Sequence, residues 1–272
     1  MPRSSRKKQD TAHALSNALA SMAVNPQRVG MPALDSISFA DTAPLAKVRG
    51  TYRILRTNEV DSYEGPPPTD ENGVAMAITV SALAATGDNF KGTARKAAKL
   101  SIADAATERF RDVKNLIGSL PAESVMKAHN PPIKTTATSN RVKEEKRNVR
   151  VKAFLYAASR EDDNDFHLII GRKHDLTPEM YMTAELSGLP PSSSAAFAIL
   201  NVARAAYTGF FGSDLPGTSY DFYDPPIPVS IEGSLFFDMS HANGQRPGPQ
   251  SLKSRMPTIW EVHPITKIVF EP

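Results

Sequence analysis

Asp165, His167, Glu185, Asp238, His241, Glu261 and His263 stand at or near the ends of the β-strands expected in the C-terminal half of this 272-residue chain. Residues two apart in a strand face the same side, so Asp165 with His167, and Glu261 with His263, each set an imidazole beside a carboxylate. Pairs of this kind on neighbouring strands share a metal ion or a proton. Imidazole with carboxylate suits zinc, manganese or iron, whereas calcium prefers an all-oxygen set. The expected arrangement has His167, His263 and one of Glu261 or Asp238, with His241 alongside, holding a divalent ion, Zn or Mn. Glu185 or Asp165 is then the base that activates a bound water, whose pKa falls toward about 7 on zinc, and the chemistry is hydrolytic, with a phosphodiester as a compatible substrate. The bland alternative is that the His–carboxylate pairs are satisfied hydrogen-bonding partners that close a barrel or orient loops. Metal-free acid–base work is the third reading.

The elements that must position these groups are legible from alternation. Val149, Val151, Ala153, Leu155 and Ala157 mark one face of a strand, the acidic turn Glu161-Asp162-Asp163-Asn164 comes next, and Phe166, Leu168 and Ile170 complete a hairpin. A third strand spans 180–186. Ser192 to Ser194 offer a cap for an alanine-rich helix from Ala195 to Tyr207. Strands are expected over 228–238 and 258–262, the latter resuming at 265–270 after Pro264. Three strands, one helix and two strands is the order of a five-stranded Greek-key barrel of the oligonucleotide/oligosaccharide-binding (OB) type. An open antiparallel sheet carrying one helix fits the same string. The fold class is therefore mainly β with helices, an OB-like barrel over 148–272 carrying an N-terminal α/β extension.

The segments 161–170, 185–190, 233–241 and 260–265 resemble a loose group of uncharacterised bacterial proteins. These share an Asp-x-Asp-x-His-Leu hairpin, a segment ending in Asp-x-x-His and a terminal Glu-x-His-Pro strand. Here the motifs are Asp163 to Leu168, Asp238 to His241 and Glu261 to Pro264. The resemblance implies a shared domain over roughly 149–270 and no particular activity.

The N-terminal half is expected to contain a flexible basic tail (1–45), a small α+β region (46–130) and a linker (131–147). Residues 47–55 alternate as a strand, and the Gly65 to Pro68 run interrupts the chain beyond it. Ala75 to Ala84 is a second strand candidate. Ala97, Leu100, Phe110, Val113 and Leu116 recur at roughly helical spacing over 93–116, with Arg95, Lys96, Lys99, Arg109, Arg111 and Lys114 on the remaining faces. That predicts one or two basic amphipathic helices, either a solvated face or a phosphate-binding one.

Composition bounds the rest. A hydrophobic fraction of 40% and a charged fraction of 22% are those of a globular chain, and a net charge of +3 is too weak for a dedicated duplex-DNA binder. With no cysteine there is no thiolate nucleophile, disulfide or zinc–thiolate site. No Gly-x-Ser-x-Gly elbow is present, Gly209 and Gly212 lack the preceding strand that a phosphate loop needs, and the acidic turn lacks the glycine of an EF-hand. The stretch His13 to Val24 loosely imitates a secretory signal but is interrupted by polar residues, so a cytoplasmic protein is expected. The rival to a metal-dependent hydrolase is a non-catalytic module whose groove meets single-stranded nucleic acid, a sugar chain, another polyanion or a protein. An assembly component with exposed proline-rich segments is the third class. Trp260 and Phe236 are expected in the core, since base stacking needs them exposed.

Overall fold

The computed structural model describes residues 39–47, 50–61 and 89–271. The strand expected over 75–84 and the stretch 13–24 lie outside the described residues. Eight strands, β1 (Phe39–Lys47), β2 (Gly50–Thr57), β3 (Thr107–Phe110), β4 (Asn148–Arg160), β5 (Phe166–Gly171), β6 (Tyr181–Leu186), β7 (Asp221–Phe237) and β8 (Trp260–Phe270), form one sheet. Their order is β1-β2-β7-β8-β6-β5-β4-β3, and β4 also pairs with β7, so hydrogen bonding runs β4–β5–β6–β8–β7 and returns to β4. The β6–β8 and β3–β4 pairs are parallel and the others antiparallel. The protein is a mixed α/β chain dominated by this sheet and carries few helices.

Alternation explains the core. Val149, Val151, Ala153 and Leu155 of β4, Phe166, Leu168 and Ile170 of β5, Met182, Ala184 and Leu186 of β6, and alternate residues of β7 and β8 form one buried cluster. Each large aliphatic or aromatic side chain sequestered there contributes roughly 1.5–3 kcal/mol. A bulge between Leu155 and Ala157 reverses the phase of β4, so Ala157 joins a second cluster with Ile169, Tyr181, Tyr220, Phe222, Leu252 and Met256, and not the face expected from spacing. The helix α4 (Phe197–Phe211) buries Leu200, Ala203, Arg204, Tyr207 and Phe211, a helical stripe. It lies against β8 and β6. No serine hydroxyl caps its first turn: the Ala196 N–H reaches Ser194 Oγ, and the Phe197 N–H reaches the Ser194 carbonyl.

Three elements differ from expectation. The basic helix over 93–116 is replaced by α1 (Lys96–Lys99), strand β3 and α2 (Val113–Ile117). Extended chain wins there because β3 gains a ladder with β4 and the Ala103 N–H finds Ser234 Oγ. Strand β7 begins seven residues before Pro228: one edge pairs with β2 over Asp221–Asp224 and with β8 from Val229 onward, with Pro225-Pro226 at the change of partner, while the other edge follows β4. Strand β8 runs through Pro264 without a break, because register shifts at Gly233 on β7 absorb it.

The segment 131–147 carries two buried charges, Arg141 and Glu145. Arg141 donates to the carbonyls of Leu235, Ala98, Ser101 and His263, and Glu145 pairs with Arg95. Tyr52, Ile54, Val113, Leu116 and Met126 belong to the same buried cluster as β4 to β8, so packing is continuous across this stretch. The helix α3 (Glu123–Lys127) contributes Met126. Among the described residues no helix is long and apolar enough to cross a membrane.

Candidate metal centre

Strands β5 and β6 are buried on both faces. Strands covered on both sides are normally apolar throughout, yet the face turned away from the main core carries His167, Thr183 and Glu185, joined from β8 by Glu261 and His263. Register places them as neighbours: His167 faces Glu185, and Thr183 faces Glu261. The cover comes from sequence-distant segments. Residues 89–91 cross the hairpin tip, with the Phe90 N–H on the Leu189 carbonyl and the Lys91 N–H on the Asp163 carbonyl, and α1 directs Lys99 inward.

The polar side chains fall into groups. In the first, His263 Nδ1 lies 2.8 Å from Glu185 Oε2 and 3.5 Å from Glu261 Oε2, and its Nε2 lies 3.4 Å from Asp165 Oδ2. His263 and Asp165 are 0% exposed, Glu261 2% and Glu185 3%. Asp165 Oδ1 accepts the Gly188 N–H at 2.6 Å, but Asp165 Oδ2, Glu185 Oε2, Glu261 Oε2 and both ring nitrogens of His263 complete no hydrogen bond. Lys99 Nζ approaches Asp163 at 3.2 Å and Asp165 and Glu185 at 3.9 Å each. One donor atom each from Asp165, Glu185 and His263 lie within 4.8 Å of one another, so these three residues could hold a metal ion.

The second group is Asp61, Glu161 and His167. His167 Nδ1 is 2.6 Å from Glu161 and 3.3 Å from Asp61, the Tyr220 hydroxyl stands 3.1 Å away, and Nε2 meets Thr183 Oγ1 at 3.1 Å. Both ring nitrogens therefore have partners. A third pair, Asp238 and His241, lies at the start of the loop after β7, where Asp238 Oδ1 also accepts the Ser240 N–H.

Burial and neighbouring charge set distinct protonation states. Burial pushes the His263 imidazole down, toward the neutral form that ligates metal, and Glu185 partly opposes this. Burial disfavours the His167 cation, but Glu161 and Asp61 outweigh it and hold the ring protonated. Desolvation, reinforced by Asp163, drives Asp165 well above the usual carboxylate range, and desolvation with Glu185 does the same to Glu261. Glu185 would also rise on burial alone, yet the adjacent His263 and Lys99 keep it well below its ordinary value.

The seven residues singled out by spacing thus all come to one side of the sheet, but the two imidazoles expected on one ion are divided. His263 joins Asp165 and Glu185, His167 joins Asp61 and Glu161, and Asp238 with His241 stands apart. Asp165 and Glu185, expected as bases, lie with His263 in the group that could hold an ion. Spacing does not point to Lys99, Asp61 or Glu161: Lys99 falls on the expected basic helix face, Asp61 sits far upstream, and Glu161 belongs to the acidic turn. Trp260 and Phe236 are 1% exposed, so neither offers a stacking surface. Arg95, expected on a basic face, is buried against Glu145. Comparison with known protein families, curated proteins and solved structures returns no match to this chain.

Proposed function

We propose that this protein binds a divalent metal through Asp165, Glu185 and His263, and that the centre is hydrolytic. The observation that carries the first part is the convergence of buried donor atoms without hydrogen bonds: leaving such groups unpaired costs about 1–3 kcal/mol each, and a cation removes that cost. One donor atom from each of the three residues lies within 4.8 Å of the others, close to the span of ligands that share an ion at roughly 2.0–2.2 Å per bond. The set is small, and two carboxylates with one imidazole suit Zn or Mn. Protein purified without an affinity tag should contain a stoichiometric divalent metal, and chelation should lower its melting temperature. No metal together with unchanged melting in chelator would remove the proposal.

The hydrolytic part rests on donor number. Three protein ligands leave a position for water, as catalytic zinc sites do, whereas structural sites are closed by four. When bound, the ion would supply Lewis acidity and a water of lowered pKa. Glu261, 3.5 Å from His263 Nδ1, is the carboxyl that this reading assigns as proton donor to a leaving group. Hydrolysis of bis-p-nitrophenyl phosphate by the metal-loaded protein, lost in Glu261→Gln with metal still bound, supports this role. Equal rates for the two proteins would rule it out.

The cycle β4–β5–β6–β8–β7, with α4 between β6 and β7, supports reading the domain as an OB-type Greek-key barrel.

A further inference from the structure

Lys99 occupies an unusual position for a lysine. Its backbone is clamped on both sides, with Ala98 and Ser101 carbonyls accepting from Arg141 and its own carbonyl accepting from Ser187 Oγ at 3.3 Å. Its side chain runs inward to the carboxylates of Asp163, Asp165 and Glu185. Two of these, Asp165 Oδ2 and Glu185 Oε2, are the oxygens that approach His263. An ammonium and a divalent ion cannot both sit among the same oxygens without strong repulsion in a poorly solvated site. We propose that the Lys99 ammonium is a tethered competitor for the divalent ion, neutralising the carboxylates when no metal is present and moving out on its flexible four-carbon stem when metal enters.

The proposal rests on the metal reading of Asp165, Glu185 and His263. The clamped backbone matters because it allows the ammonium to leave by rotation of its stem while α1 stays in place. Lys99 then sets metal affinity: the protein binds the ion only against its own internal cation, and the metal-free state is held together meanwhile.

Titration of the full chain with Zn2+ tests this on wild type, Lys99→Met, Lys99→Arg and Asp165→Asn. Lys99→Met should bind at least ten-fold more tightly than wild type, Lys99→Arg should bind no more tightly than wild type because the charge is kept, and Asp165→Asn should lose binding. Lys99→Met binding no more tightly than wild type overturns the competitor role while leaving the metal site intact. Binding by neither protein removes the metal reading and the competitor with it. Should Lys99→Met fail to fold, amine acetylation of wild type read by peptide mass spectrometry decides instead. Zn2+ should raise modification of Lys99 several-fold relative to the exposed Lys96, and an unchanged ratio counts against release of the ammonium.

Discussion

His263 Nδ1 lies 2.8 Å from Glu185 Oε2, and neither atom completes a hydrogen bond. Adjacent parallel strands therefore press two complementary groups together inside the protein and leave both unsatisfied. A neutral imidazole has one N–H and one lone pair, and three carboxylates face its two nitrogens, so at least one acid must carry a proton or a cation must enter. His263→Gln, Glu185→Gln and Asp165→Asn should each weaken Zn2+ binding by at least about ten-fold, the scale on which site geometry tunes metal affinity. Metal at 100 times its Kd stabilises by about 2.7 kcal/mol. That corresponds to a rise in Tm of about 5–10 °C at this chain length, reduced to about half or less in all three variants. Scanning calorimetry with and without Zn2+ reads it.

His167 separates the two groups. Its ring is held as a cation between Glu161 and Asp61, with Thr183 on the other nitrogen. His167→Asn should destabilise the protein by about 2 kcal/mol, below the 3–5 typical when a fully buried pair is broken, because Glu161 is partly exposed. Zn2+ affinity should change by less than about three-fold. Loss of metal binding comparable to that of His263→Gln would instead mean that both imidazoles share one ion.

The division between these histidines shows where sequence reasoning stops. Period-2 alternation identifies β4 to β8 and puts Asp165, His167, Glu185, Glu261 and His263 on one face, since strand geometry fixes sidedness. It is silent on which neighbours meet across strands, because register is set by pairing: His167 faces Glu185, and Glu261 faces Thr183. Residues from distant segments are harder still. Asp61 reaches His167, and Lys99 reaches Asp165, through tertiary contact alone. The helical spacing over 93–116 misleads for a related reason, as apolar residues such as Val113 and Leu116 are buried in short separate elements.

The Asp238–His241 pair defines a pH window. Burial works to raise Asp238, but the His241 charge and hydrogen bond, with a weaker contribution from Lys99, bring it down to about 2. Burial likewise disfavours the His241 cation, and Asp238 overrides it, so that pKa is raised. Asp61 and His167 also act on His241, with opposite sign. Stability from Asp238 is full above its unfolded value of about 3.9 and is lost as pH falls toward 2. That from His241 is full below about 6.5 and is lost as pH rises through its elevated folded value. Urea unfolding of wild type minus His241→Asn should give the largest difference between about pH 4 and 6.5, and a difference independent of pH would contradict the pairing.

Arg95 and Glu145 form a two-pronged pair at 2.6 and 2.8 Å, with Arg95 also stacked over Phe236, the residue whose ring packs on His263. The two partners are 2% and 0% exposed. Removing one leaves a buried charge, so Arg95→Met or Glu145→Gln should cost about 3–5 kcal/mol, and the double variant should cost less than the two single losses added together. A double-mutant cycle in urea measures the coupling; strict additivity would mean that the pair is not energetically linked.

Gly188 joins backbone packing to the site. Its N–H donates to Asp165 Oδ1, and a Cβ there would come within 2.6 Å of Phe90 Cα and 2.8 Å of Phe90 N. Those are backbone atoms of the segment that crosses the hairpin tip, so they cannot yield by a side-chain rotation. Alanine must push residues 89–91 outward, loosening the Lys91 N–H from the Asp163 carbonyl and with it the acid that faces Lys99. Gly188→Ala should therefore destabilise by about 1–3 kcal/mol, the usual range for overpacking, and weaken Zn2+ binding. Gly209→Ala is the control: it lies in α4 with nothing within 4 Å of the added carbon. It should stabilise by about 0.5–1 kcal/mol through helix propensity alone and leave Zn2+ affinity unchanged. If Gly188→Ala behaves like this control, the covering segment does not hold Asp165 and Asp163 in place.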